Sequence, residues 1–241
     1  MKDLYTHIIE SLLDDEDEVF DGAKESIIKE FLETNYKIAG SYTIKNDNKG
    51  FIVDVKGGMG VANKNIESLT NGLFDFGVIG GDFICHDCQS LTSLTGAPKE
   101  VGGRFSCNWC ASLKSLKGAP KEVGGNFECG YCDLLTSLEG APKKVGGSFI
   151  CDYCNDLISL KGSTQKIGRR FDCSHCKSLT SLIGGPKEVE GDFYCVYCSS
   201  LTSLKGAPKK VGGEFCCNDC GAKFKTMDIK KYTKGAKYIR V

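Results

Sequence analysis

Hydrophobic residues return along this chain at three different periods. Over residues 1–33 they fall on helical stripes: Leu4, Ile8 and Leu12, with Ile9 and Leu13 beside them, then Ile27, Ile28, Phe31 and Leu32. The acidic run Asp14–Glu18 separates the stripes, so two amphipathic helices are expected. Over residues 40–56 the period drops to two: SYTIK, a turn at NDNKG, then FIVDV read as paired strands. From Gly80 onward the pattern repeats every 22 residues. The first copy is GGDFICHDCQSLTSLTGAPKEV, and its leading cysteine recurs at Cys85, Cys107, Cys129, Cys151, Cys173, Cys195 and Cys217.

A fixed period of this size predicts a solenoid, each repeat forming one coil stacked on its neighbours. A phenylalanine stands two residues before each leading cysteine, from Phe83 to Phe215. That spacing puts both on one face of a strand, which would be one rung of a parallel sheet. Leucines follow the second cysteine by three and six positions, as Leu113 and Leu116 do, and a valine or isoleucine such as Val123 or Ile167 closes the coil. All five prolines share one repeat position, replaced once by Thr164. Proline donates no N–H, so this position belongs to a bend rather than to the sheet. Glycine pairs such as Gly102-Gly103 suit a tight or left-handed backbone.

Four segments result. Residues 1–35 form an acidic helical segment, read as a cap for the first coil. Residues 36–79 hold the β-rich part and a degenerate, cysteine-free coil in which Ser68-Leu69-Thr70 aligns with Ser90-Leu91-Thr92. Residues 80–222 hold seven repeats, and residues 223–241 form a basic cap with Phe224, Ile229 and Tyr232 available to cover the last edge. The predicted fold is therefore a repeat solenoid with a parallel sheet on one side, irregular bends on the other and a small helical N-terminal cap.

Charge adds little to this. The formal net charge is zero, with −8 over residues 1–35 and +6 over residues 221–241, which reads as solvated surface. Neither nucleic acid nor a membrane is an expected partner. No basic-then-apolar leader and no membrane-length apolar run is visible, so a cytoplasmic location is expected. There, 15 cysteines would be reduced thiols or metal ligands. As ligands, adjacent CxxC pairs could share zinc, drawing on Cys85, Cys88, Cys107, Cys110, Cys129, Cys132, Cys151, Cys154, Cys173, Cys176, Cys195, Cys198, Cys217 and Cys220. Core packing is the favoured reading. Each leading cysteine alternates inward with a phenylalanine, and reduced cysteine packs as a small hydrophobe. No cofactor is expected, and Cys216, outside the pairs, is the expected exposed thiol.

The pattern G-x-x-Phe105-x-Cys107-x-x-Cys110-x-x-Leu113 resembles the leucine-rich repeat over about residues 57–222. Glycine stands in place of the first leucine, and cysteine fills both the strand and the ladder positions. More narrowly, GAPKEVGGxFxC looks like a repeat common in bacteriophage and some bacterial proteins, where the place of Cys110 is often asparagine. HIIESLLDDEDEV is similar to an N-terminal segment of large-phage proteins. The resemblance implies an arc or superhelix whose sheet binds a protein partner, and a virion-associated or host-interaction role.

Two columns vary between repeats while the bends barely change. Between phenylalanine and cysteine stand Ile84, Ser106, Glu128, Ile150, Asp172, Tyr194 and Cys216. Just before the second cysteine stand Asp87, Trp109, Tyr131, Tyr153, His175, Tyr197 and Asp219, an aromatic stripe expected near the sheet's rim. With Asp172, Glu128, Arg104 and Arg170 as polar surround, this face is the expected partner-binding surface. The lysine column Lys99, Lys121, Lys143, Lys187 and Lys209 reads as a solvated face. Catalysis finds no support: His7, His86 and His175 share no site, and no P-loop, nucleophile elbow or zinc-protease motif occurs. A non-enzymatic binding scaffold is expected. A zinc module and a self-associating architectural protein, hence a homo-oligomer, are the alternatives.

Overall fold

A computed structural model describes residues 18–241 apart from Asn48 and Asn63. The first predicted helical stripe, Leu4 to Leu13, lies outside the described residues. The second forms α1 (Glu18–Asn35). Ile28 and Leu32 are buried, and Phe31 packs edge-on against Phe74 with centroids 6.0 Å apart. The helix runs into β1 (Tyr36–Ile38), where the buried Tyr36 hydroxyl donates to the Leu69 carbonyl.

The expected hairpin is β2 (Tyr42–Asn46) paired antiparallel with β3 (Phe51–Val55). The cysteine-free coil supplies β4 (Met59–Val61) and β5 (Asp75–Ile79). Met59 stands in register with Phe83, so it leads the phenylalanine column.

With the cysteine-free coil before them and the segment after them, the seven repeats form a parallel β-solenoid of about nine turns. Each contributes one short strand to a first sheet: β6 (Phe83–Ile84), β8 (Phe105–Ser106), β10 (Phe127–Glu128), β12 (Phe149–Ile150), β14 (Phe171–Asp172), β16 (Phe193–Tyr194) and β18 (Glu214–Cys216). The bends hold a second ladder at the closing valine or isoleucine: β7 (Glu100–Val101), β9 (Glu122–Val123), β11 (Lys144–Val145), β13 (Lys166–Ile167), β15 (Glu188–Val189) and β17 (Lys210–Val211). The coil is thus pinned at two points. Pairing has no stagger: Phe105 lies opposite Phe83 and Phe127, and so on along the sheet. Every repeat position therefore becomes a straight column. The phenylalanine rings follow one another at 4.9–5.5 Å, stacked in three of the six contacts and tilted by 31–47° in the other three, fully buried, with the paired cysteines and leucines beside them.

Glycine enters for a different reason at each site. The pairs after the valine lie outside the left-handed region, contrary to one part of the expectation. What they need is room, because a Cβ on Gly124 would stand 2.2 Å from the Gly102 carbonyl oxygen. The left-handed glycines sit before the proline bend. Gly140, at φ +94°, passes the Lys117 nitrogen so closely that a Cβ would meet it at 2.5 Å. Where Thr164 replaces proline, its hydroxyl donates to the Pro142 carbonyl at 2.6 Å.

The C-terminal segment imitates one more coil. Thr233 repeats the Thr164 contact against the Pro208 carbonyl at 2.6 Å. After α2 (Thr226–Tyr232), β19 (Tyr238–Arg240) adds in parallel to β18 and covers the edge of the first sheet. Ile229 is buried and Phe224 packs against the core. Tyr232 is 43 % exposed and stands outside the core cluster, on which Ile239 packs instead. At the other end β1 and the β2–β3 hairpin close the two sheets with antiparallel pairing.

Candidate functional site: an aromatic stack beside an acidic strand face

After each leading cysteine the chain must leave the sheet within two residues. It does so through one left-handed residue, and all seven rim positions from Asp87 to Asp219 have φ between 54° and 64°. This conformation costs an L-residue about 1–2 kcal/mol and is easiest for aspartate and asparagine. Asp87 and Asp219 fit that preference, whereas the five residues between them are aromatic. Their amides are held by the next coil, as Tyr153 N–H donates to the Ser174 carbonyl at 2.9 Å.

With the backbone fixed identically on every coil, the rings fall into line. Trp109 stacks on Tyr131 at 3.7 Å, Tyr131 on Tyr153 at 4.5 Å, Tyr153 on His175 at 4.1 Å and His175 on Tyr197 at 4.7 Å. All four interplanar angles are 17° or less, so this is one continuous stack. Burial and the neighbouring Tyr153 hydroxyl push the Tyr131 phenol up.

Beside the stack, the outward residues of the first sheet form a polar field. Glu128 accepts from Asn126 and Asn108 at 3.2 and 3.3 Å, and Arg104 reaches between Asp82 and Glu128 at 3.5 and 4.0 Å. Asp172, buried on the sheet, pairs with Arg170 at 3.4 Å and accepts the Ser174 amide at 3.0 Å. The Arg170 guanidinium lies over the Tyr194 ring, 5.5 Å from its centroid. Tyr194 donates toward Asp192 and Glu214, and its phenol is pushed up to about 12 by burial and these carboxylates. Arg240 Nε stands 2.5 Å from Glu214. Asp152 faces Asp172 and Glu128, and burial first, then that repulsion, raises its carboxyl to about 6.

Over the C-terminal coils these groups line an open recess of about 430 Å³, walled by Tyr153, His175 and Tyr197 on the stack side and Asp172, Tyr194 and Glu214 on the sheet side. The structure therefore brings Tyr153, Asp172, His175, Tyr194 and Tyr197 together. It continues the stack through Tyr131 to Trp109, and leaves Arg104 and Glu128 outside the recess on earlier coils. Asp152, Glu214 and Arg240 were missed. The first two stand in columns (after the leading cysteine, before the phenylalanine) whose variation could have been read, whereas Arg240 lies in no repeat.

The cysteines have a different task. From Cys110 on, each second cysteine donates its thiol to the leading-cysteine carbonyl of the coil before: Cys110 to Cys85 at 3.1 Å, Cys132 to Cys107 at 3.3 Å, Cys154 to Cys129 at 3.2 Å, and onward to Cys220 and Cys195 at 3.0 Å. Burial pushes the Cys129, Cys151 and Cys173 thiols well up. A metal ligand must be the thiolate, so the two tasks compete. Among the described residues no three His, Cys, Asp or Glu side chains converge as a metal site. Cys216 is not the exposed thiol: it is 7 % exposed in β18, while Cys220 is half-buried at the end of the ladder. No helix among the described residues is long and apolar enough to cross a membrane.

No protein-family model, curated protein or solved structure matches the chain.

Proposed function

We propose that this chain is a non-enzymatic protein-binding scaffold whose contact surface is the first sheet with its aromatic rim. The observation that carries the reading is the stack itself. Five rings are held on a backbone conformation that disfavours them, and the two end rings, Trp109 and Tyr197, keep about half their surface in solvent. A shield for the coil edge would need neither feature. Rigid aromatics lose little entropy on binding and are favoured at interface centres, with polar groups around them. The resemblance of the repeat to leucine-rich repeats points to the same face. Its likeness to phage repeats suggests a virion-associated or host-interaction role in the host cytoplasm or the virion.

The test is quantitative affinity capture from cells expressing the protein, comparing wild type with a Trp109→Ala, Tyr153→Ala double variant. Far-UV circular dichroism and the urea midpoint should show a folded solenoid in both. The double variant is expected to lose captured partners by at least tenfold. Undiminished capture by a folded double variant would remove the stack from the contact surface.

A further inference from the structure

A stack of parallel rings covers its own interior faces. In this one the four contacts leave two faces open: that of Trp109 toward the coil of Asp87, and that of Tyr197 toward the coil of Asp219. These two rings are 53 % and 49 % exposed. At both ends the next residue in the column is an aspartate with the same left-handed backbone, φ 59° at Asp87 and 56° at Asp219. Each open face is therefore bordered by a carboxylate one coil away, about 4.8 Å along the solenoid.

Both carboxylates are steadied without being neutralised. The Gln89 amide spans Asp87 Oδ1 at 2.6 Å and the Trp109 carbonyl at 3.1 Å. Asn218 donates to Asp219 Oδ2 at 2.5 Å. Neither aspartate enters an ion pair among the described residues. A ring face carries negative quadrupole charge, so ring and carboxylate together favour a cation.

The chain builds the completed form of this unit on its own strand face. There Arg170 lies over Tyr194 and is paired with Asp172. At the stack ends ring and carboxylate stand together, and no cation of the described residues pairs with either aspartate.

We propose that each end of the aromatic stack takes one arginine side chain of the partner protein, laid on Trp109 against Asp87 and on Tyr197 against Asp219. A guanidinium is planar and weakly hydrated, so it can continue the stack as one more layer while its N–H groups reach the carboxylate. Trp109 and Tyr197 lie four coils apart and Asp87 and Asp219 six, so at about 4.8 Å per coil the two positions are separated by about 19–29 Å. The partner would thus carry a basic surface with arginines at that separation. This rests on the protein-binding reading and names the chemistry it selects.

Trp109 is the only tryptophan, so its fluorescence reports one of the two sites directly. The probe is N-acetyl-arginine amide, titrated at constant ionic strength against its neutral isostere N-acetyl-citrulline amide. Arginine is expected to change Trp109 emission saturably and citrulline to leave it unchanged. Asp87→Asn, which keeps a residue suited to the left-handed backbone, should weaken the response about fivefold, the loss of roughly 1 kcal/mol. Asp219→Asn, at the far end, should leave it unaltered. Equal responses to both probes, no response, or an unaffected Asp87→Asn variant would each overturn the arginine site. If any of these held while the Trp109→Ala, Tyr153→Ala variant still lost its captured partners, the binding face would stand and only its arginine chemistry would fall.

Discussion

Asp152 is a charge placed where the fold repels it. Its carboxyl faces Asp172 and Glu128 from a half-buried position, and its pKa rises from 3.8 to about 6. An acid whose folded pKa is raised adds stability below its unfolded pKa, and that contribution is lost as pH climbs through about 6. Asp152→Asn should therefore stabilise the protein at pH 7 by about 1 kcal/mol, after discounting for solvent screening. The gap to wild type should close as pH falls toward 4. Urea midpoints of both proteins across that range would check it, and a gap independent of pH would mean the carboxyl is unperturbed. Neither this repulsion nor the left-handed rim was legible residue by residue. Aromatics are poor indicators of positive φ, and the clue was the pair of aspartates, Asp87 and Asp219, terminating the same column.

A strand of two residues is too short to stand on backbone pairing alone, and the elements here survive by extension. The second cysteine supplies it: the Cys154 thiol reaches the Cys129 carbonyl after the chain has turned out of β12 and back past the rim. Replacing Cys154 with alanine removes that donor and should cost about 1–3 kcal/mol. Serine removes the same sulfur but keeps a donor, so Cys154→Ser should recover a clear part of the loss in a urea titration. Equal destabilisation by serine and alanine would reduce the ladder thiol to a space-filler. The sequence made the packing half of this readable, because Phe and Cys two residues apart must share a strand face. The second ladder was hidden. Lys144-Val145 and its equivalents carry only one inward residue each, and two residues are too few for any alternation to be recognised.

For the whole molecule, register is the main constraint. Phenylalanine opposite phenylalanine on every coil means that each repeat presents its upper neighbour with the surface its lower neighbour presents to it. The 22-residue period made this stacking foreseeable. The caps were less so, because β19 and Thr233 imitate a coil with residues that share no motif with one. Stability should then be a sum of coil and nearest-neighbour terms, and one coil should be removable. Deleting residues 125–146 joins Gly124 to Gly147, brings Phe105 onto Phe149 and sets Trp109 on Tyr153. The shortened chain should unfold in one transition, with a urea m-value lower in proportion to the surface removed. It should also keep a four-ring stack with both aspartate ends intact, so Trp109 should still answer to arginine. A shortened chain that fails to fold would show that the deleted coil contributes more than its neighbours need. Its side-chain ties to neighbouring coils include Glu128 with Arg104 and Asn108, Asp133 with Asn155, Glu139 with Lys161, and Lys144 with Glu122. Glu128→Ala, Asp133→Ala, Glu139→Ala and Lys144→Ala combined in the full-length protein separate the two cases. A small loss there would place the failure in the stacking itself and overturn the additive picture.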